Sequence, residues 1–125
     1  DLKTSDIPAA WNQTFEDLVG VKIPDDANGV LQDIHWYDGG FGYFPTYTLG
    51  AMTAAQIYQS AQTTMPNVEL EISTGNFSSL VGWLRENIHS QGRKLSTNDL
   101  LTQATGRPLE TAPFLNHLKS RYLPS

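Results

Sequence analysis

The chain has 125 residues, with 13 Asp and Glu against 8 Lys and Arg and a formal net charge of −5. That length suits one domain, and an acidic balance without clustered Lys and Arg excludes a nucleic-acid footprint. No cysteine is present, which excludes disulfides, thiolate metal sites and a thiol nucleophile; no apolar run approaches the ~20 residues of a membrane-spanning helix.

Helix signals dominate. Trp11, Phe15, Leu18 and Val19 recur at helical spacing behind Asp6 and Pro8, and Gly20 stands where a left-handed residue ends a helix, which predicts a helix over 8–19. Val21 to Asn28, with Pro24, Asp25 and Asp26, reads as a loop. Gly29 to Trp36 (GVLQDIHW) fits either one or two helical turns or an extended piece. Tyr37 to Gly42 contains Gly39, Gly40 and Gly42 and reads as an irregular turn.

Tyr43 to Thr64 is predicted as one long helix, with Pro45 in its first turn and Met65-Pro66 as its stop. Charged residues make up 17% of the chain, against a usual ~25%, and the deficit is local: Gly39 to Val68 holds no Asp, Glu, Lys, Arg or His. A helix that is small or apolar on nearly every side is expected to be buried and central, with protein rather than water around it. In an isolated chain it would leave an apolar patch that promotes self-association. Val68, Leu70 and Ile72 alternate, a pattern that on its own fits a short strand within 67–74. Leu80, Trp83, Leu84 and Ile88 predict a helix over about 77–90, closed by Gly92. Ser96 and Asp99 resemble a capping box ahead of Leu100, Leu101 and Ala104, with Gly106 as the stop. Thr111 and Pro113 open a last helix carrying Phe114, Leu115, Leu118 and Tyr122. No repeat or linker interrupts this order, and the fold class is all-α.

Candidate chemistry is sparse. His35, His89 and His117 lie far apart, and none has a His or carboxylate at i+4, so no H-E-x-x-H metal pair exists. His89 and His117 read as surface residues near helix C-termini. His35, beside a Gly-rich aromatic turn, is either a buried structural imidazole or a hydrogen-bond donor at a site. Tyr43 and Tyr47 share a face if both are helical; they form either an aromatic core pair or a phenol donor to a developing oxyanion. Tyr37, Phe41 and Phe44 read as surrounding wall. Asp25, Asp26, Asp33 and Asp38 read as loop acids that bond their own turns. Asn12-Gln-Thr and Asn76-Phe-Ser match the glycosylation acceptor pattern, without a visible signal peptide at the start.

The run Gly29-Val30-Leu31-Gln32-Asp33-Ile34-His35-Trp36 resembles the G-x-x-Q-D-x-H-W motif of the thermostable (Taq-type) family of zinc metallocarboxypeptidases. Phe41-Gly42-Tyr43-Phe44-Pro45-Thr46-Tyr47 resembles the same family's F-G-Y-F-P-T-Y stretch. Ile7 to Asn12 and Trp83 to His89, with Gly92-Arg93, resemble its C-terminal region. The resemblance implies an all-α piece forming one wall of a larger, mostly helical enzyme with a deep cleft, residues 1–125 being a single C-terminal helical region. It implies removal of single residues from peptide C-termini by Zn2+, which polarises the scissile carbonyl and activates water. The family's H-E-x-x-H and I/V-R-x-x-A-D motifs are missing from this sequence. The expectation is therefore a C-terminal fragment whose zinc ligands lie outside the chain and which is inactive alone.

By the same resemblance, His35 is expected to donate to a substrate carbonyl, with Gln32, Asp33 and Trp36 as substrate-binding or orienting neighbours. Tyr43 or Tyr47 supplies the oxyanion phenol. Implied partners are a peptide substrate, the missing N-terminal part and a possible homodimer, with neither nucleic acid nor membrane, in the cytoplasm. The alternative is a non-catalytic helical protein-binding module built on the aromatic surface around Tyr37 to Tyr47.

Overall fold

The computed structural model describes residues 1–123. Every regular element among them is helical: α1 (Ile7–Val19), α2 (Pro45–Thr64), α3 (Val68–Ser73), α4 (Ser78–Asn87), α5 (Thr97–Thr105) and α6 (Ala112–Tyr122), with single 3₁₀ turns between several of them. The all-α expectation is met. The chain divides into two compact units, one over Asp1–Pro45 and one beginning at Thr46.

In the first unit, α1 opens with Pro in its first turn and ends at Gly20, whose φ of 74° lies in the left-handed region and whose N–H reaches the Glu16 carbonyl. Of the loop acids, Asp25 and Asp33 cap turns, as read. Asp25 accepts the Asn28 backbone N–H at 2.8 Å and the Asn28 side-chain amide as well. GVLQDIHW resolves into two successive 3₁₀ turns, Val30–Gln32 and Ile34–Trp36. Gly29 is required ahead of them. A Cβ there would sit 2.6 Å from the Ile23 Cγ2, 3.2 Å from the Asp25 carbonyl oxygen and 3.3 Å from Asn12 Oδ1, so only the bare backbone fits.

Helix α2, which lies in the second unit from Thr46 onward, begins at Pro45, two residues later than predicted. Proline disfavours helical φ/ψ in the residue before it, so Phe44 and Tyr43 stay outside. Tyr43 and Tyr47 therefore do not share a helical face. Within this chain only Gln56 and Ala61 of α2 are buried, because one side alone meets the rest of its unit; the expectation of protein on the remaining sides concerns a longer polypeptide.

Gln56 is the unit's polar anchor. Its Nε2 donates to Thr105 Oγ1 and to the Pro108 carbonyl, both at 2.9 Å, and its Oε1 accepts the Glu110 backbone N–H at 2.9 Å. These bonds tie the loop after α5 onto α2. Among the described residues of this unit, Ala61, Val68, Leu101 and Pro113 supply the buried apolar side chains.

Residues 68–73 form helix, not strand. Val68 and Ile72 also stand at i, i+4; Val68 is buried while Leu70 points to solvent, the outcome of a 3.6-residue period. The helix predicted over 77–90 ends at Asn87 and is followed by a separate 3₁₀ turn, His89–Gln91, before Gly92. Ser96 caps α5, accepting the Asp99 N–H at 3.2 Å and donating to its carboxylate at 2.7 Å. Thr111 precedes α6 without a side-chain cap, and Pro113 occupies the first turn. No described helix is long and apolar enough to cross a membrane.

Candidate functional site

The site is built by short-range geometry within the first unit. Val30 is buried and pins the start of the motif. Three residues on, Asp33 is 4% exposed and caps the Ile34–Trp36 turn. Its Oδ1 accepts the His35 backbone N–H at 3.0 Å and meets His35 Nδ1 at 2.7 Å. An ionised carboxylate only accepts, so Nδ1 carries the proton in this pair. One buried oxygen thus fixes the turn and the orientation of the imidazole together.

The Gly-rich turn then brings a second wall back to the ring. The His35 carbonyl accepts N–H groups from Asp38 at 3.2 Å and Gly40 at 2.7 Å, and the Gly40 carbonyl accepts the Tyr43 N–H at 3.2 Å. Gly39 and Gly42 have φ of 75° and 74°, a region costly for side-chain-bearing residues. The chain reverses through them, and Tyr43 stacks on the His35 ring with centroids 4.6 Å apart and planes 24° from parallel. Phe44 meets the same ring edge-on at 5.1 Å. His35 retains 24% side-chain exposure. The imidazole is held on one nitrogen by a buried acid and on its face by a phenol ring, without being sealed in.

The other sequence candidates lie as follows. Gln32 donates its amide to the Ala27 carbonyl at 2.6 Å, which braces the turn ahead of Asp33. Trp36 packs edge-on against Trp11 at 5.6 Å and stacks with Phe41 at 6.0 Å, tying the motif to α1. Tyr47 lies in the first turn of α2, in the other unit, and is exposed. His89 and His117 are exposed. Sequence reasoning missed the stacking of Tyr43 on His35; Pro45, which forces Tyr43 off the helix, was the available signal. Among the described residues no three His, Cys, Asp or Glu side chains gather to hold a metal ion.

The comparisons with known proteins decide the family. The model for carboxypeptidase Taq (M32) metallopeptidase matches residues 1–122. The chain belongs to that family. It is 36% identical to carboxypeptidase 1 of Bacillus subtilis, over 98% of this chain and 24% of that protein. It is 38% identical to thermostable carboxypeptidase 1 of Thermus thermophilus, over 98% of this chain and 24% of that protein. The solved M32 carboxypeptidase from Deinococcus radiodurans R1 superposes with a TM-score of 0.91 at 38% identity, over 97% of this chain and 24% of that one. The chain thus spans about a quarter of the length of these M32 relatives. The metal implied by the family description does not fit the described residues of this chain, which offer no such ligand set.

Proposed function

We propose that this chain is the C-terminal, substrate-side part of a zinc-dependent metallocarboxypeptidase that removes single residues from peptide C-termini. In this reading, residues 1–125 line a cleft, the metal ligands belong to the N-terminal part of the same protein, and the chain alone does not hydrolyse peptides. A homodimer and a cytoplasmic setting go with the family reading.

The observation that supports it is the Asp33–His35 pair. With Nδ1 held by Asp33, Nε2 is the ring nitrogen to which we assign the hydrogen bond with the substrate carbonyl, donated when that nitrogen carries a proton. Asp33 orients the ring; Gln32 and Trp36 set the turn that carries it and border the substrate. Tyr43, stacked on His35, is the phenol we assign to the developing oxyanion, with Tyr47 as the other candidate.

The test is His35→Ala in the full-length, metal-loaded protein. The expected result is a fall in kcat/KM of about 10²–10³, the usual cost of one lost oxyanion-type donor, with metal content and melting temperature retained. Unchanged kinetics with a lowered melting temperature would make His35 structural. Tyr43→Phe and Tyr47→Phe, assayed side by side, assign the phenol to whichever lowers kcat.

The exposure of Tyr37 and Phe41, at 69% and 76%, favours a second reading, a non-catalytic module that holds a protein partner on this aromatic surface. The two part at the gene: an H-E-x-x-H motif upstream of Asp1 belongs to the peptidase reading alone.

A further inference from the structure

We infer that the apolar groove along α1 is the seat of the stretch of chain that leads into Asp1 in the full-length protein. This rests on the reading that residues 1–125 are the C-terminal part of a longer polypeptide. The groove has a volume of about 340 Å³, and Leu2, Ile7, Trp11, Phe15, Leu18 and Val19 line it, with no charged residue in its wall. Leu18 is 80% exposed, Leu2 64% and Val19 57%. Within Asp1–Pro45 the one apolar side chain that is buried is Val30. A unit this small buries little apolar surface of its own, and an aliphatic and aromatic face left open forfeits the hydrophobic gain of burying it.

Two observations choose the occupant. The first is length: the relatives are about four times longer than the span they share with this chain, so a large amount of protein is available to cover the face. The second is position. Leu2 forms part of the groove wall, one residue from Asp1, so chain entering at Asp1 arrives at the rim of the groove. A segment already tethered there closes a very short loop, whereas a second copy of the molecule must also offset the loss of rotational and translational freedom on association. The groove's chemistry asks for an uncharged strip of aliphatic or aromatic side chains, such as the apolar face of an amphipathic helix.

The test uses the full-length protein. Single substitutions Leu18→Cys and Val19→Cys probe the groove, and Gln13→Cys, on the exposed side of α1, is the reference; residues 1–125 contain no cysteine of their own. Alkylation by iodoacetamide, read on the tryptic peptide by mass, is expected to be roughly tenfold or more slower at 18 and 19 than at 13. That protection should not change with protein concentration. A thiol-anchored photo-cross-linker at Leu18→Cys is expected to land on the peptide that runs into Asp1. Equal alkylation rates overturn the inference. So does protection that grows with concentration, which would place a second copy in the groove, and so does a cross-link to any other part of the chain. Hydroxyl-radical footprinting of Phe15 and Leu18 in the unsubstituted protein gives the same readout if a cysteine variant misfolds. Peptidase activity is assayed on the same samples: protection without activity removes the peptidase reading and leaves the groove's occupant in place.

Discussion

Asp33 Oδ1 holds His35 twice, through the ring Nδ1 at 2.7 Å and through the backbone N–H at 3.0 Å. A residue that acts through another shows it in a double-mutant cycle. In the full-length protein, Asp33→Asn is expected to lower kcat/KM by about 10–100-fold, as loss of a partner that orients a site imidazole does. Added to His35→Ala it is expected to cause no further loss. Multiplying losses in the double variant would mean that Asp33 works independently of His35.

Much of this was legible in the sequence, and the misreadings have identifiable causes. The α1 stripe of Trp11, Phe15 and Leu18, closed by Gly20, carries its period and its stop within one segment, and it reads directly. Ser96 with Asp99 does so too. Val68, Leu70 and Ile72 misled because a six-residue element satisfies period 2 and period 3.6 at once; neighbours decide such a case, and here Val68 alone of the three is fully buried. In the sequence Gln56 is one helix-forming residue among many in an uncharged stretch. The backbone groups that require it belong to residues about fifty positions away, and no local pattern announces them. At the site, Asp33 and His35 are two residues apart and their pairing is a local turn property. The Tyr43 stack depends on a reversal through left-handed glycines, whose path periodicity does not describe.

Gly29 opens the motif where a side chain has no room. Gly29→Ala would drive Cβ against Ile23, Asp25 and Asn12, and overpacking of this kind costs about 1–3 kcal/mol. The expected outcome is a lowered melting temperature with a matching loss of activity, because the turns that carry Asp33 and His35 start at this residue. A variant as stable as the parent in thermal unfolding would show that the loop yields freely there.

Gln56→Leu keeps much of the side-chain volume and removes every polar contact. The Glu110 N–H and the Pro108 carbonyl then lose their partner in a partly buried place, a penalty of up to about 1–3 kcal/mol for each stranded group. Thermal or denaturant unfolding is expected to show a loss of roughly 2–4 kcal/mol. Gln56→Glu should do nearly as much harm, since a carboxylate cannot donate to Thr105 and Pro108. Stability within experimental error of the parent for both variants would mean that solvent replaces these bonds.

Tyr58 makes the protein sensitive to alkali. Burial pushes its phenol above the usual range, and the neighbouring Glu69 carboxylate pushes it further in the same direction. The folded state therefore binds this proton more tightly than the unfolded chain does. The resulting stabilisation is complete below the unfolded phenol value of about 10 and drains away as pH rises from there through the higher folded value. Unfolding measured across that range should show Tyr58→Phe losing less stability than the parent, because nothing at position 58 is left to ionise. Glu69→Gln, which removes the lesser of the two causes, should flatten the decline only in part. Parallel curves for parent and Tyr58→Phe would show that the phenolate is as well accommodated in the fold as in water.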